Sequence, residues 1–334
     1  MIVGPFGEGF LADSYVRAFE ANGCQVVRFD SDRAYFHAAS YARARLLRRV
    51  FRRRLWDRMN RATLAAVRSA RPDVVLVFKG AFLDPRTIEG IRRDLPVINY
   101  YPDNPYCGVP LNPYKTSAQR RDLIDCLRAY TSVYIWSPCL ATRLAGDGVQ
   151  ASYLPFGADP LVYGPASADP SLADSVVLVG QRNAKRDHHL AAIRRHQVTV
   201  WGPLWEFASL PVRRRHRIRP ERVFGTLCAG IYASAAAALN VVDDLNMPGH
   251  NMRTFEIPAS GGVMLSTYTK EQDGFFPAGE AAWYYRTPDE LDDTLDRLLA
   301  DKDGRERLRR NAAGIAERHQ YRHRAAQILT DIFG

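Results

Sequence analysis

The stretch Val176-Val177-Leu178-Val179-Gly180-Gln181-Arg182-Asn183-Ala184-Lys185-Arg186 decides the fold. Four consecutive apolar residues suit a strand buried on both faces, as in a parallel sheet covered by helices. Gly180 ends the run, and a helix carrying Leu190 and Ile193 follows. The same grammar recurs on both sides. Downstream, 198–201 is a strand closed by Gly202-Pro203, and 238–242 and 262–266 are two more. Behind Pro288, Leu291, Leu295, Leu298 and Leu299 repeat at helical spacing, and 304–333 reads as helix. Upstream, Ile2-Val3 leads through a glycine loop into a helix with Leu11, Tyr15 and Phe19. Residues 25–29, 74–78, 96–101 and 132–136 then read as strands. A stretch rich in Pro, Ala, Asp and Gly, 154–174, reads as a linker. Strands alternating with helices imply parallel sheets with right-handed crossovers. The expected fold class is therefore α/β: two Rossmann-like domains, 1–160 and 170–334, facing across a cleft, with the last helix free to pack back on the first. A length of 334 residues fits two domains at roughly 150 residues each.

Composition narrows the class. No apolar run approaches the roughly 20 residues that span a bilayer, and the start Met1-Ile2-Val3-Gly4 lacks the pattern of a secretory signal. The five cysteines are odd in number and form no C-x-x-C pair, which argues against a disulfide framework or a zinc site and for a reducing cytoplasm. The net charge of +10 is local: residues 43–71 hold eleven arginines and one acid, Asp57. In that segment Leu47, Phe51, Leu55 and Met59 recur every fourth residue with arginines largely opposite. Such a helix either packs its stripe on the sheet or lies on an anionic membrane surface through residues 43–61. Exposed aromatics or a module for nucleic acid are missing, so no nucleic-acid partner is expected.

Several loops carry candidate chemistry. Gly4-x-x-Gly7-x-Gly9 lets backbone N–H groups approach an anion, and Asp30 closes the next strand, but the spacing is not G-x-G-x-x-G. The loop reads as a turn, as a sugar-phosphate contact through Gly7 and Gly9, or as a site for NAD(P). Asp30-Ser31-Asp32 has the form of a metal-binding D-x-D; no metal is expected from so common a pattern. Tyr100-Tyr101-Pro102-Asp103-Asn104-Pro105 lies just past a strand end, where ligands bind in open α/β sheets. It is a proline-braced turn, or an acceptor site in which Tyr101 stacks on a sugar and Asp103 and Asn104 meet hydroxyls. Arg182, Lys185 and Arg186 at a helix start can neutralise a diphosphate, or sit in solvent. Residues 211–222 hold six arginines and one acid and read as a solvated loop. Most informative is His250-Asn251-Met252-Arg253-Thr254-Phe255-Glu256-Ile257-Pro258-Ala259-Ser260-Gly261-Gly262. There Glu256 can accept hydrogen bonds from both hydroxyls of a ribose, Arg253 can reach a phosphate, and the small residues let the backbone approach a ligand.

Asn251-x-Arg253-Thr254-Phe255-Glu256-Ile257-Pro258-Ala259-x-Gly261-Gly262 resembles the C-terminal signature of the CgeB or spore-maturation-like glycosyltransferases, relatives of the family-4 glycosyltransferases of the GT-B fold. Val179-Gly180 with Arg186, Val200-Trp201-Gly202, the segment 232–240 ending Leu239-Asn240, and His319-x-Tyr321-x-x-Arg324 extend the likeness over most of 176–330. The N-terminal half matches loosely, through its strand pattern and 101–105. The resemblance implies a GT-B enzyme that moves a sugar from a nucleoside-diphosphate sugar to a hydroxyl acceptor, lipid-linked or glycan. It also implies no metal, no other cofactor, and retained stereochemistry. Its donor set would be Gly180, Arg182, Lys185, Arg186, Gly202, Asn240, Asn251, Arg253, Glu256, Gly261 and Gly262. Many relatives carry a second glutamate eight positions before the Glu256 place; here that residue is Pro248, with His250 and Asn251 as substitutes. The catalytic set would be Asp103, Arg253 and His250, with Asp103, Asp13 or His37 as base if the reaction inverts. A nucleotide-sugar epimerase of the same fold and an NAD(P)-dependent oxidoreductase are the alternatives. The expected location is cytoplasmic, or peripheral at the inner membrane face.

Overall fold

The computed structural model describes residues 1–31, 52–80, 83–107 and 117–334. The chain divides into two compact units, one of 1–155 with 324–334 and the other of 156–323.

In the first unit six parallel strands run β1 (Ile2–Gly4), β2 (Arg28–Asp30), β3 (Val75–Phe78), β4 (Val97–Tyr101), β5 (Ser132–Ile135) and β6 (Ala151–Tyr153), ordered β2-β1-β3-β4-β5-β6. Helices α1 (Leu11–Glu20), α2 (Arg52–Ala70), α3 (Pro85–Arg92), α4 (Ser117–Arg128) and α5 (Pro138–Gly146) connect them. Local chemistry sets the helix starts. Asp84 accepts from Thr87 N at 2.8 Å ahead of Pro85, whose missing N–H costs nothing at the first helical position. Residues 324–334 belong to this unit, and Tyr134 Oη donates to Asp331 at 2.9 Å.

In the second unit the strands are β7 (Val176–Val179), β8 (Val198–Trp201), β9 (Arg217–Arg219), β10 (Ala237–Asn240), β11 (Met264–Thr267) and β12 (Trp283–Tyr285), ordered β12-β11-β10-β7-β8-β9. The helices are α6 (Ala184–Ala192), α7 (Leu210–Arg215), α8 (Gly225–Ser234), α9 (Arg253–Ala259), α10 (Lys270–Phe275), α11 (Leu291–Ala300) and α12 (Lys302–Ala316); α13 (Tyr321–Phe333) begins in this unit, and its residues from Arg324 on belong to the first. Leu178, Val200, Leu239 and Leu265 from the central strands pack with Leu190, Trp205, Leu291 and Leu295 in one buried core. The order is that of a doubly wound dinucleotide fold, with its direction reversing between β7 and β10; such a switch point opens a crevice at the strand ends. In the first unit the reversal falls between β1 and β3.

Two Rossmann-like sheets are thus present. β6, β9 and β12, which the apolar pattern did not mark, are three-residue edge strands. An edge strand is covered on fewer sides, so it lacks the continuous apolar run of a central one. The fourth edge, β2, begins at Arg28, three residues later than its pattern indicates. The arginine-rich segment lies outside the described residues up to 51; from Arg52 it is helix α2, with Met59 and Val67 buried. Among the described residues no helix is long and apolar enough to cross a membrane.

Candidate functional site

At the switch point of the second sheet two guanidinium groups converge on a glycine. Gly180 ends β7 with φ +153°, a conformation that side chains disfavour, and a Cβ there would lie 2.8 Å from Arg253 Nη2 and 3.1 Å from Arg186 Nη1. Gly202, after β8, has φ +137°, and its Cβ would fall 2.3 Å from Gly180 O. These two glycines let the loops after β7 and β8 close on each other while leaving room for the arginines. Trp205 Nε1 donates to Gly180 O at 2.7 Å and braces the same loop.

The cations differ in their partners. Arg186, on α6, is nearly buried; Nη2 donates to Asp243 Oδ2 at 2.5 Å and Nη1 to Gln181 O at 2.6 Å. Burial, then the adjacent Arg253, lower its pKa to about 10, with Asp243 opposing. Lys185 Nζ reaches Asp244 at 2.9 Å. Arg182 is held by buried Asp187, which also accepts from Ser209 N and Oγ. Three cations of the loop are therefore engaged by carboxylates of their own unit, a correction to reading all three as free for a diphosphate. The carboxylates come from the β10 loop and from α6 itself. Arg253 differs: Nε donates to Val179 O at 2.8 Å, and its two terminal nitrogens make no hydrogen bond or ion pair among the described residues.

Glu256 lies one helical turn beyond Arg253 on α9. The residue is half-buried, and its carboxylate makes no hydrogen bond or ion pair among the described residues. Burial raises its pKa to about 7, against the nearby charge of Arg253. Tyr163, Cys228 and Tyr232 share its surroundings, and the N–H of Gly225, at the start of α8 with φ +59°, faces the Tyr163 hydroxyl. A carboxylate with open acceptor sites beside a half-satisfied guanidinium can accept from a diol while the cation holds an anion.

The residues between β10 and α9 do something else. Asn251 Oδ1 accepts from Thr254 N at 3.2 Å, capping α9, and its Nδ2 donates to Asn240 Oδ1 at 2.9 Å. Gln272 Oε1 accepts from Thr254 Oγ1 at 2.8 Å and Ser266 Oγ at 3.0 Å, while its Nε2 donates to Thr267 O at 2.7 Å. Asn240, Asn251 and Gln272 are buried, so Asn240 and Asn251 seal a polar network that holds the Arg253 loop and present no face to a donor. His250 is fully buried against Phe255 and Phe275; one ring nitrogen meets Glu271 at 2.9 Å and the other the Phe156 N–H at 3.2 Å. It is not placed as a catalytic group. Gly261 has φ +78°; its N–H donates to Pro258 O and that of Gly262 to Ile257 O, the pair of hydrogen bonds that ends a helix in a left-handed cap. A Cβ on Gly262 would lie 2.9 Å from Ile257 Cγ2 and 3.0 Å from Tyr232 O. Helix termination and packing thus account for both glycines without a ligand.

In the first unit the glycine loop is occupied from within. Asp13 accepts from Gly7 N at 2.7 Å and pairs with Arg28 at 3.3 Å. A carboxylate there repels a pyrophosphate, which counts against NAD(P) at this loop and against Asp13 as a free base. Gly9 has φ +80° and serves the turn. Tyr101 is fully buried, which corrects its reading as a stacking platform. Asn104 Oδ1 accepts from Tyr106 N at 2.9 Å, a local turn. Asp103 is paired with Lys79, a residue that pattern reasoning missed; Lys79 follows β3 at φ +62°, a conformation unusual for a lysine. His37 and Asp32 lie outside the described residues. Asp243, Tyr163 and Gln272 were also missed, although Asp243-Asp244 directly past a strand end is a readable signal.

Residues 182–330 match a protein family described as glycosyl transferase-like. No curated protein matches the chain. Among solved structures, the fold is similar to sucrose-phosphate synthase from Thermosynechococcus elongatus, with 12% identity, 98% of this chain and 97% of that chain covered, and a TM-score of 0.71. It is also similar to HepE from Anabaena in complex with UDP-glucose, at 13% identity, 99% of each chain and a TM-score of 0.67. For α,α-trehalose 6-phosphate synthase from Burkholderia multivorans the values are 10% identity, 99% and 97%, and 0.66. The chain therefore has the two-sheet architecture of the GT-B glycosyltransferases, and its residues 182–330 carry the pattern of the glycosyl transferase-like family.

Proposed function

We propose that the protein is a glycosyltransferase that moves a sugar from a nucleoside-diphosphate sugar to a hydroxyl acceptor, akin to the CgeB or spore-maturation-like enzymes. The single observation that carries this is Glu256, a carboxylate unpaired among the described residues, one helical turn from the half-satisfied guanidinium of Arg253, at the switch point of the second sheet. The bound UDP-glucose of the structurally similar HepE supports a nucleotide-sugar donor. In this reading Glu256 grips the ribose, while Arg253, with Arg186 behind it, faces the diphosphate. Charge building on the departing diphosphate is stabilised by guanidinium groups already in place, usually the largest single contribution to such catalysis. Stereochemistry is retained, with the leaving phosphate oxygen accepting the acceptor's proton, and no metal or other cofactor takes part. Asp103 with Lys79 forms the acceptor side, and the acceptor is lipid-linked or a glycan. Among the described residues no cysteine is in a disulfide, which fits work in the cytoplasm.

Thermal-shift titration with UDP, GDP, dTDP and NAD(P) tests the reading, because a ligand that binds only the folded state raises the melting temperature by mass action. One nucleoside diphosphate should raise it, and Glu256→Gln should abolish that rise. A response to NAD(P) alone would overturn the assignment. Product formed from the nucleotide sugar without any acceptor would shift it to an epimerase.

A further inference from the structure

Between β8 and α8 the chain lays apolar side chains beside arginines on the surface of the second unit. Leu204 precedes the 3-10 turn Trp205–Phe207, whose three residues per turn put Leu204 and Phe207 on one side. They are 41% and 67% exposed, while Trp205 between them is fully buried. On α7, Leu210 is 49% exposed, and Arg213 and Arg214, three and four residues on, share its face; Val212 points the other way into the core. β9 pairs only with β8. Its Ile218 packs on the core, and Arg217 and Arg219 alternate outward. Arg222 follows, also exposed.

Arg213, Arg214, Arg217, Arg219 and Arg222 make no ion pair or side-chain hydrogen bond among the described residues. By contrast, Arg195 of the same unit engages Asp293 and Asp296. Two exposed acids, Glu206 and Glu221, stand among the six arginines of 204–222. Guarding the edge strand against pairing accounts for Arg217 and Arg219, but it gives no reason to leave Phe207 and Leu210 in water. A bilayer surface accounts for both features, since anionic headgroups attract the arginines and the acyl boundary takes up leucine and phenylalanine. Two of the three apolar groups are aliphatic and offer no plane for stacking on bases.

We propose that this surface, Leu204, Phe207 and Leu210 rimmed by the five unpaired arginines, docks on an anionic phospholipid bilayer. It adjoins the donor loops, since Gly202 N donates to Arg219 O and Arg182 N to Pro203 O. Docking therefore sets the nucleotide site near the headgroups. The proposal does not depend on which nucleotide that site takes.

The test is co-sedimentation of the full chain with vesicles of phosphatidylcholine alone and of equal parts phosphatidylcholine and phosphatidylglycerol. The wild type should partition onto the anionic vesicles and be released by salt. Arg213→Ala with Arg214→Ala should weaken that partition roughly thirtyfold, as expected for two cations at an anionic leaflet. Phe207→Ser should weaken it roughly tenfold through lost apolar burial. Unchanged melting temperatures show that the variants are folded; if the double variant fails to fold, Arg219→Ala with Arg222→Ala reads the same surface. Equal wild-type binding to both vesicle types would overturn the proposal. So would variants that bind like the wild type. Loss of binding to a short DNA duplex with vesicle binding intact would overturn it in favour of nucleic acid.

Discussion

Glu256→Gln keeps the shape of the side chain and removes its charge, and the structure gives the size of the effect. Burial lifts the Glu256 carboxyl from an ordinary 4.5 to about 7, with Arg253 only partly offsetting it. A folded-state pKa above the unfolded value means that the folded state binds more protons between those two values. The group's stability contribution is then fully present below 4.5 and is lost as pH rises through about 7. The gap between the two values is worth about 3 kcal/mol. At about pH 8 the glutamine variant should therefore melt higher than the wild type, by about 6–10 °C for a domain of this size. At about pH 4.5 the difference should close. The same variant should lose its response to the nucleoside diphosphate. In the wild type that nucleotide should bind roughly tenfold more tightly at about pH 8 than at about pH 6, because the ribose hydroxyls are best met by the ionised carboxylate. Differential scanning fluorimetry across pH, with and without nucleotide, measures both effects. A variant that melts no higher than the wild type at alkaline pH, or that still responds to nucleotide, would refute the picture of an unpaired, desolvated carboxylate waiting for a diol.

Three further outcomes are expected. Arg253→Lys keeps the charge but loses the Nε bond to Val179 O and the forked donor pair; nucleotide affinity measured by calorimetry should fall roughly 10- to 100-fold. Gly180→Ala places a methyl group 2.8 Å from Arg253 Nη2 in a disfavoured backbone conformation. It should abolish nucleotide binding, with a loss of about 1–3 kcal/mol of stability in denaturant titration. Gln272→Leu removes the acceptor of Thr254 Oγ1 and the donor to Thr267 O from a buried site, while Ser266 Oγ keeps its bond to Asn240 O; a loss of about 2–4 kcal/mol is expected in the same titration.

The strand positions near 75–78, 97–101, 132–135, 176–179 and 198–201 were legible because each strand is largely buried on both faces and so mostly apolar, with Asn99, Ser132 and Thr199 the polar exceptions. Gly180 and Gly202 were also legible, as turns at strand ends. The roles of Asn240, Asn251 and His250 were not. Each is a polar residue in a promising loop, and only burial among Gln272, Thr254 and Phe275 shows that their hydrogen bonds are spent internally. Lys79 was invisible for a related reason, since its unusual φ and its pairing with Asp103 depend on the neighbouring strand.

From order and periodicity alone came the parallel two-sheet plan and the placing of Arg253 and Glu256 on one short helix, because those follow from local backbone preference and from which residues avoid water. The charge state of the site was decided by tertiary structure. Arg182, Lys185 and Arg186 are matched by Asp187, Asp244 and Asp243, two of them from a loop about sixty positions away, while among the described residues Arg253 keeps its terminal nitrogens open and Glu256 stays unpaired. Whether a charge is satisfied depends on distance in space, and distance along the chain does not report it.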